Sequence, residues 1–180
     1  MKRRPKSVRP SSVHIVGEDF HAKAPPGWFN LERIQLEEAR ATDPETKRDL
    51  NLILANFRMM RAEGNELMIA GVDDAKALMT ITKIEGATIE KSKLGSDKYC
   101  EAIAKTMMEA GQKLESAETS AVRKGIDSCS IRSTSSNGRK YAGIIMFGKT
   151  KPYLLMATVD KGREIPVDSL QALVDSWYLK

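Results

Sequence analysis

The carboxyl-terminal half of the chain contains three successive segments that are rich in apolar and β-branched residues and are separated by short links. These segments are 126–133, 139–147 and 153–159. Asn137-Gly138 lies between the first two, and Asn-Gly favours a tight hairpin because both residues accept a positive φ. Ile144 to Phe147 is apolar without alternation, which indicates a strand that is covered on both faces. The sequence therefore predicts an antiparallel meander.

Capping signals and apolar periodicity predict three helices. They are 44–63, 96–110 and a closing helix that ends near Ser176-Trp177. Asp43 is a good N-cap and Pro44 suits the first helical position. Ser96 is the expected cap of the second helix. Asp168, with Gln171 three residues later, predicts a capping box for the third.

The remaining apolar or alternating segments predict strands. They are 13–16, 20–22, 28–36, 67–72, 77–84 and, more weakly, 114–122. The fourth and fifth of these are joined at Asp73-Asp74. Runs of strands with helices between them are typical of the α+β class, in which helices cover an antiparallel sheet. We expect a single α+β domain over residues 13–180.

Positive charge is concentrated at the amino terminus. The chain has 29 Lys and Arg against 24 Asp and Glu, a net charge of +5. Five cations lie within the first nine residues: Lys2, Arg3, Arg4, Lys6 and Arg9. Residues 1–12 are therefore predicted to be a disordered basic arm on a neutral body. This distribution argues against a broadly basic nucleic-acid-binding domain but leaves the arm as a contact for phosphates or an acidic surface.

Three lysines of the meander are further candidates for contacting a partner. If the turns of the meander share one end of the sheet, Lys140, Lys149 and Lys151 form a small positive patch. Aromatic residues, which would stack on bases, make up only 6% of the chain.

Motifs of catalysis and metal binding are missing from the sequence. It has no Cys-x-x-Cys, His-Glu-x-x-His or Gly-x-Ser-x-Gly motif and no glycine-rich phosphate loop. His14 and His21 are the two histidines, and Glu37-Glu38 is an acidic pair that suits solvated charge. We therefore expect no catalytic residue, no cofactor and no metal ion.

The two cysteines leave alternatives open. Cys100 lies in the apolar stripe of its helix and Cys129 in a serine-rich strand. They could form a structural disulfide, although two buried free thiols are the commoner case. A hydrolase or transferase that uses one of them is the least favoured alternative, because a reactive thiolate needs an electropositive, partly open setting.

Methionines and the overall hydropathy pattern add two expectations. Met59, Met60, Met107 and Met108 lie in predicted helices, where such residues are more often core. No run of about 18 apolar residues is present, so we expect no transmembrane helix. The protein is cytoplasmic at face value, and periplasmic or envelope-associated if a native signal has been removed.

Two parts of the chain together resemble the PsbP-like family, which includes the bacterial DcrB-like proteins. The segment from Phe20 to Trp28, with Pro25-Pro26-Gly27 before the tryptophan, is similar to the opening motif of that family. The later order of a helix, four antiparallel strands and a closing helix that ends in Ser176-Trp177 also resembles the family. The similarity spans about residues 18–179, and the helix at 44–63 departs from it as an insertion.

The resemblance implies an α/β/α sandwich that has a central antiparallel sheet and no catalytic residues. Its members bind proteins as assembly factors, adaptors of secretion effectors or envelope lipoproteins. We therefore expect a non-catalytic accessory protein of the chaperone, adaptor or immunity type, which binds another protein through its sheet face or helix grooves. The alternative is binding of nucleic acid or an acidic surface through the basic arm.

Overall fold

A computed structural model describes residues 14–71, 77–84 and 97–180. The expected basic arm, the turn at Asp73-Asp74 and the expected cap Ser96 lie outside these residues. In chain order the elements are β1 (His14–Val16), β2 (Phe20–Lys23), α1 (Leu31–Arg40), α2 (Pro44–Ala62), β3 (Glu66–Ile69), β4 (Ala77–Lys83), α3 (Asp97–Glu109), β5 (Lys113–Arg123), β6 (Ile126–Thr134), β7 (Lys140–Phe147), β8 (Pro152–Val159), α4 (Val167–Asp175) and β9 (Tyr178–Leu179).

Six of the strands form an antiparallel sheet in the order β3-β4-β8-β7-β6-β5. The predicted meander is its centre, since β6, β7 and β8 pair as consecutive neighbours. A smaller antiparallel sheet has the order β1-β2-β9. The α+β class with an antiparallel sheet flanked by helices is confirmed.

One face of the six-stranded sheet, which we call the α4 face, carries Ala142, Ile144 and Met146 of β7. Helix α4 and the smaller sheet cover it. Phe20 of β2 stacks on Trp177 with ring centroids 4.0 Å apart. The indole Nε1 of Trp177 donates to the carbonyl of Phe147 at 3.2 Å. These contacts fix the closing segment of the chain on the main sheet.

The opposite face, which we call the α2–α3 face, is covered in two places. Helices α1 and α2 pack over β3 and β4, where the buried residues include Ile34, Leu54 and Phe57. Helix α3 packs over β5 to β7 around Ile131 and Ile145. The two places have separate hydrophobic clusters, so the middle of this face is less covered than its ends.

The predicted strand at 28–36 is wrong. Only Phe29 forms a bridge, to Ile69, and a helix begins at Leu31. Asn30 is its N-cap, since its Oδ1 accepts from the Arg33 N–H at 3.1 Å. Alternation over six residues suggested a strand, but Leu31 and Ile34 are the buried pair, and their separation of three is helical.

The capping box predicted at Asp168 is also wrong. Helix α4 begins at Val167 with Pro166 at the N-cap, and no side chain caps it. Gln171 instead donates from Nε2 to the carbonyl of Val122 at 2.8 Å and to Asp175 at 2.9 Å. The side-chain amide of Gln171 therefore binds a backbone carbonyl of β5 instead of capping the start of its own helix.

Helix α2 follows its prediction closely. The Asp43 carboxylate accepts from the Thr46 N–H at 2.8 Å, and Pro44 is the first helical residue. The helix ends at Ala62, just before Gly64. Its position matters because it forms one wall of the groove described next.

Candidate functional site

An apolar groove of about 420 Å³ lies on the α2–α3 face, between α2 and the strands β3 and β4. Its lining residues are Ile53, Asn56, Phe57, Met59, Met60, Leu67, Ile69, Leu78 and Thr80. Helix α2 supplies one wall because residues three and four apart share a helix face. Strands β3 and β4 supply the floor through side chains of one sheet face.

Exposed apolar side chains extend this groove onto the surface of α2. Leu52 is 62% exposed and Met59 is 55% exposed. Met60 and Ile53 are half-buried at the groove wall. Contiguous exposed apolar surface on a folded protein marks an interaction site more often than an isolated exposed residue does. The expectation that Met59 belongs to the core is therefore wrong.

Polar groups mark the ends and the floor of the groove. By helical spacing, Asp49 lies on the same side of α2 as Ile53, and Glu63 on the same side as Met60. Both acids are exposed. In the floor, the Thr80 hydroxyl has no hydrogen-bond partner among the described residues. The groove thus combines an apolar centre with acidic ends.

An ion cluster holds the carboxyl-terminal end of α2 against β3. Arg61 donates to Glu66 through Nε at 2.9 Å and Nη2 at 2.8 Å. Arg61 also donates to both carboxylate oxygens of Glu32 on α1. The hydrogen bond from Arg61 holds the pKa of Glu32 below its ordinary value, and the bond to Glu32 raises the pKa of Arg61. This cluster fixes the distance between the helical wall and the sheet.

The structure does not bring together the predicted positive patch. Lys140 begins β7, whereas Lys149 and Lys151 lie in the turn that follows its last residue, Phe147. A strand of that length separates its ends by about 23 Å. Consecutive turns of a meander alternate between opposite ends of the sheet, so the assumption behind the patch fails.

A buried carboxylate organises the turn that carries Lys149 and Lys151. Asp19 accepts from the Tyr153 hydroxyl at 2.7 Å and from the Thr150 N–H at 3.2 Å. Burial acts to raise the pKa of Asp19, but these bonds and one from the Lys149 backbone outweigh it, and the pKa is lowered. This geometry positions the β7–β8 turn.

Cys100 and Cys129 form a disulfide with Cα atoms 5.2 Å apart. The bond joins α3 to β6, and both residues are buried. The commoner case of two free thiols is therefore wrong for this chain, since α3 packs its apolar stripe directly on the strand that carries Cys129. While the disulfide is intact, neither sulfur is available as the nucleophile of a hydrolase or transferase.

The histidines occupy separate positions in the smaller sheet. His21 stacks on Tyr178 with ring centroids 5.0 Å apart, and His14 is exposed on β1. Within residues 14–71, 77–84 and 97–180, no three His, Cys, Asp or Glu side chains lie close enough together to hold a metal ion.

The sequence signalled the groove only in part. It predicted that Ile53, Phe57 and Met60 share the apolar face of α2, which is observed. It did not indicate that the apolar surface of α2 extends beyond the part that packs on β3 and β4. The available signal for this extra apolar surface was Leu52, which lies one residue outside the predicted stripe.

Comparison with known proteins identifies no family and no function. No family model matches the chain, and no curated protein matches it. Eight chains among solved structures match. One is a crystal structure of a protein from Bacteroides thetaiotaomicron VPI-5482. The two chains have a TM-score of 0.39 and are 12% identical in sequence, and the match covers 89% of this chain and 45% of that chain. The chain therefore spans less than half the length of that protein.

The structure describes four helices, α1 to α4. None of them combines the length and the apolar character that crossing a bilayer requires.

Proposed function

We propose that this protein is a non-catalytic accessory protein that binds another protein in the groove between α2 and the β3–β4 strands. The observation that carries the proposal is the apolar lining of the groove, continued on the surface by Leu52 and Met59. Burying such surface against a partner is favourable at about 25 cal/mol per Å². The role is of the chaperone, adaptor or immunity type.

The chemistry of the groove supports an amphipathic segment as the partner's contact. Its apolar side chains would occupy the space between Ile53, Met60 and Leu78. Lys or Arg residues that flank them would meet Asp49 and Glu63. Methionine side chains adapt to differently shaped apolar groups, which suits a binding wall.

The disulfide supports an oxidising compartment, and we propose that the protein works in the periplasm or envelope. Disulfides persist outside the reducing cytosol and are rare within it. The resemblance to PsbP-like proteins, whose members include envelope lipoproteins, supports the same location. Mass spectrometry of protein from its native host, with free thiols blocked at lysis, tests this. An oxidised Cys100–Cys129 pair is expected, and a reduced pair would contradict the location.

Site-specific photo-crosslinking tests the groove. A photoreactive amino acid at Asn56, an exposed polar position in the lining, is expected to crosslink one partner through an apolar segment with basic flanks. Met59→Lys should abolish the crosslink because it places a charge in the apolar surface and repels those flanks. Met108→Lys is the matched control, since Met108 of α3 is also half-exposed, at 52%.

Two results would overturn the groove as the binding surface. One is a crosslink that Met59→Lys and Met108→Lys reduce equally. The other is a crosslinked peptide that is acidic or entirely polar. Circular dichroism of both variants establishes that the fold is retained, so that loss of the crosslink reports on binding.

The alternative function is binding of nucleic acid or an acidic surface through the basic arm. It stays a prediction because the cations of the arm lie outside the described part of the chain: Lys2, Arg3, Arg4, Lys6 and Arg9. Removing residues 1–12 and measuring DNA and RNA affinity against salt distinguishes it. A phosphate-driven complex loses affinity steeply as salt rises. The groove function predicts no such dependence on the arm.

A further inference from the structure

The smaller sheet has a face that points away from the main sheet, which we call the outer face. Side chains alternate between the two faces of a strand, and those of the inner face are buried in the main hydrophobic cluster: Ile15, Phe20 and Ala22. The register pairs Val16 with His21 and His21 with Tyr178, which places these three side chains in one row on the outer face. The next row pairs His14 with Lys23.

The first row is apolar and aromatic although it faces solvent. Val16 is 56% exposed and Tyr178 is 49% exposed. His21 lies between them and stacks on Tyr178. Because neighbouring strands are about 4.8 Å apart, the row forms a continuous strip roughly 10 Å long across all three strands. A contiguous exposed strip of this kind marks an interaction surface more often than an isolated exposed residue does.

The strand residues of the outer face include no acid. Lys23 is exposed at the end of β2, and Lys180, which follows β9, is exposed as well. The nearest carboxylates have cationic partners. Glu18, in the turn between β1 and β2, pairs with Lys83 of the main sheet at 3.9 Å. The outer face therefore has no carboxylate of its own that would repel an anion.

A cleft at the β1 edge of the outer face contains two further carboxylates. His14 and Val16 line this cleft together with Glu32, Glu66 and Arg61. Arg61 donates to both of these glutamates, as described above, so the cluster keeps one uncompensated negative charge. That charge lies beside the outer face, and the cations of Lys23 and the arm have to outweigh it.

The basic arm leads directly into this face, because His14 is the first residue of β1. The thirteen residues before it include five cations and no acid. An extended chain spans at most about 3.3–3.6 Å per residue, so Arg9 can reach about 17 Å from His14 and Lys2 about 40 Å. A surface that contacts the outer face therefore lies within reach of every cation of the arm.

An anionic lipid surface matches this combination of features. Each Lys or Arg near such a surface strengthens its binding about fivefold. Tyrosine is enriched at the membrane–water interface because its ring is apolar and its hydroxyl is polar. A valine beside it adds apolar area at the same depth. The oxidising location inferred from the Cys100–Cys129 disulfide also places a membrane near the protein.

Single-stranded nucleic acid matches the outer face less well. Its bases need aromatic platforms on which to stack. His21 already covers one side of the Tyr178 ring, and Val16 has no planar surface. The outer face therefore offers one ring side to a base, whereas its whole apolar strip can contact lipid.

We propose that the outer face of the smaller sheet and the basic arm bind an anionic lipid surface. Val16 and Tyr178 lie at the level of the lipid headgroups, and the cations of the arm and Lys23 contact the lipid phosphates. The apolar groove lies on the opposite side of the main sheet, so the bound protein presents the groove away from the bilayer. No residue that lines the groove belongs to the outer face, so this proposal does not rest on the groove function.

Co-sedimentation of the full chain with lipid vesicles tests this surface. Vesicles of phosphatidylcholine and phosphatidylglycerol in equal amounts should bind the protein, and added salt should weaken the binding. Vesicles of phosphatidylcholine alone should bind it at least about tenfold more weakly. Removing residues 1–12 should weaken binding to the anionic vesicles by at least the same factor.

Two substitutions test the outer face itself. Val16→Glu should weaken binding to the anionic vesicles about tenfold, because it places a carboxylate in the apolar strip, and Tyr178→Ala should weaken it about fivefold. Leu52→Glu is the matched control, since it makes the same change of charge at a residue of α2 that is 62% exposed. It should change the binding less than about twofold.

Four results would overturn the proposal. The first is an absence of binding to the anionic vesicles, and the second is equal weakening by Val16→Glu and Leu52→Glu, which would indicate net charge alone. The third is binding that requires the arm but is unchanged in both Val16→Glu and Tyr178→Ala. The fourth is tighter binding of a single-stranded oligonucleotide that Tyr178→Ala weakens, which would assign the outer face to nucleic acid.

Two further measurements keep the result specific. Circular dichroism shows that each variant retains the fold, so that weaker binding reports on the surface. Crosslinking at Asn56 without vesicles should be the same in Val16→Glu as in the unmodified protein, because Asn56 lines the groove. Failure of the membrane proposal and failure of the groove function are therefore told apart.

Discussion

The hydroxyl of Tyr153 donates to Oδ1 of Asp19 at 2.7 Å, across 134 positions of sequence. Asp19 lies between the two strands of the β1–β2 hairpin, and Tyr153 lies in the main sheet on β8. The contact therefore ties the smaller sheet to the larger one. It sits beside the ring cluster in which Tyr153 and Phe20 meet edge to face with centroids 4.8 Å apart.

Replacing Asp19 by Asn should destabilise the protein by about 1–3 kcal/mol at pH 7, because hydrogen bonds to a charged acceptor are lost. The pKa of Asp19 is lowered from 3.8 in the folded state. Its contribution is therefore present above the ordinary pKa and is lost as pH falls through the folded pKa. Urea unfolding at pH 7 and at pH 2–3 measures the free energy of unfolding of Asp19→Asn and of the unmodified protein. The difference between the two should be smaller at the acidic pH.

Asp49→Asn is the control for that measurement, since Asp49 is exposed on α2. It should change stability by less than about 0.5 kcal/mol at either pH. An Asp19→Asn effect of equal size at both pH values would contradict a role for the ionised carboxylate.

A side chain at position 148 should disturb the same contact. A Cβ on Gly148 would lie 2.5 Å from Asp19 Oδ2 and 2.6 Å from the Tyr153 ring. Both neighbours are buried, so Gly148→Ala is expected to cost roughly 1–3 kcal/mol, as overpacking does. Gly71→Ala is the matched control, because nothing lies within 4 Å of its Cβ position. If both substitutions lower the midpoint of thermal unfolding equally, the close approach of position 148 to Asp19 and Tyr153 is contradicted.

Removing the disulfide should be costly. Cys100 and Cys129 are 29 positions apart, and closing a loop of that size in the unfolded chain corresponds to about 3–4 kcal/mol. The double variant Cys100→Ala, Cys129→Ala should show this loss in urea unfolding. A reductant should destabilise the unmodified protein and leave the double variant unaffected. Reductant-insensitive stability together with free thiols in mass spectrometry would contradict the bond.

Neutralising Arg61 should destabilise the protein by breaking the ion cluster that holds α2 against β3. Glu66 is only 9% exposed, so Arg61→Met leaves a buried carboxylate without its bidentate partner. We expect a loss of about 3 kcal/mol, as for broken buried pairs, measured by urea unfolding. Adding Glu66→Gln should recover part of it, whereas Arg58→Met, an exposed arginine of the same helix, should have little effect. An Arg61→Met loss that Glu66→Gln deepens would contradict the pairing.

Local signals predicted several elements well because their causes are local. Asn137-Gly138 marked the β6–β7 hairpin, and Asp43-Pro44 marked the start of α2, since turn and cap preferences involve residues within a few positions. The same kind of signal failed at Leu31 and Asp168. There, short patterns fitted two structures, and packing on Ile69 and Val122 selected the one observed.

The candidate sites depended on contacts between distant parts of the chain. The length of β7 placed Lys140 at the opposite end of the strand from Lys149, and pairing with β8 put Lys140 beside Val159 instead. The Asn137-Gly138 turn was visible in the sequence, but nothing in it placed Asp160, in the loop after β8, beside Arg139. Sequence separation alone carries no information about which turns meet.

By itself, the sequence determined the class of the fold, the central meander and the limits of α2, because periodicity, turn chemistry and capping act over a few residues. Only the tertiary structure decided the Cys100–Cys129 bond and the acidic-ended groove. Each of these depends on the order of strands in the sheet and on how far the helices extend over it, and both are set by packing between segments that are remote in the chain.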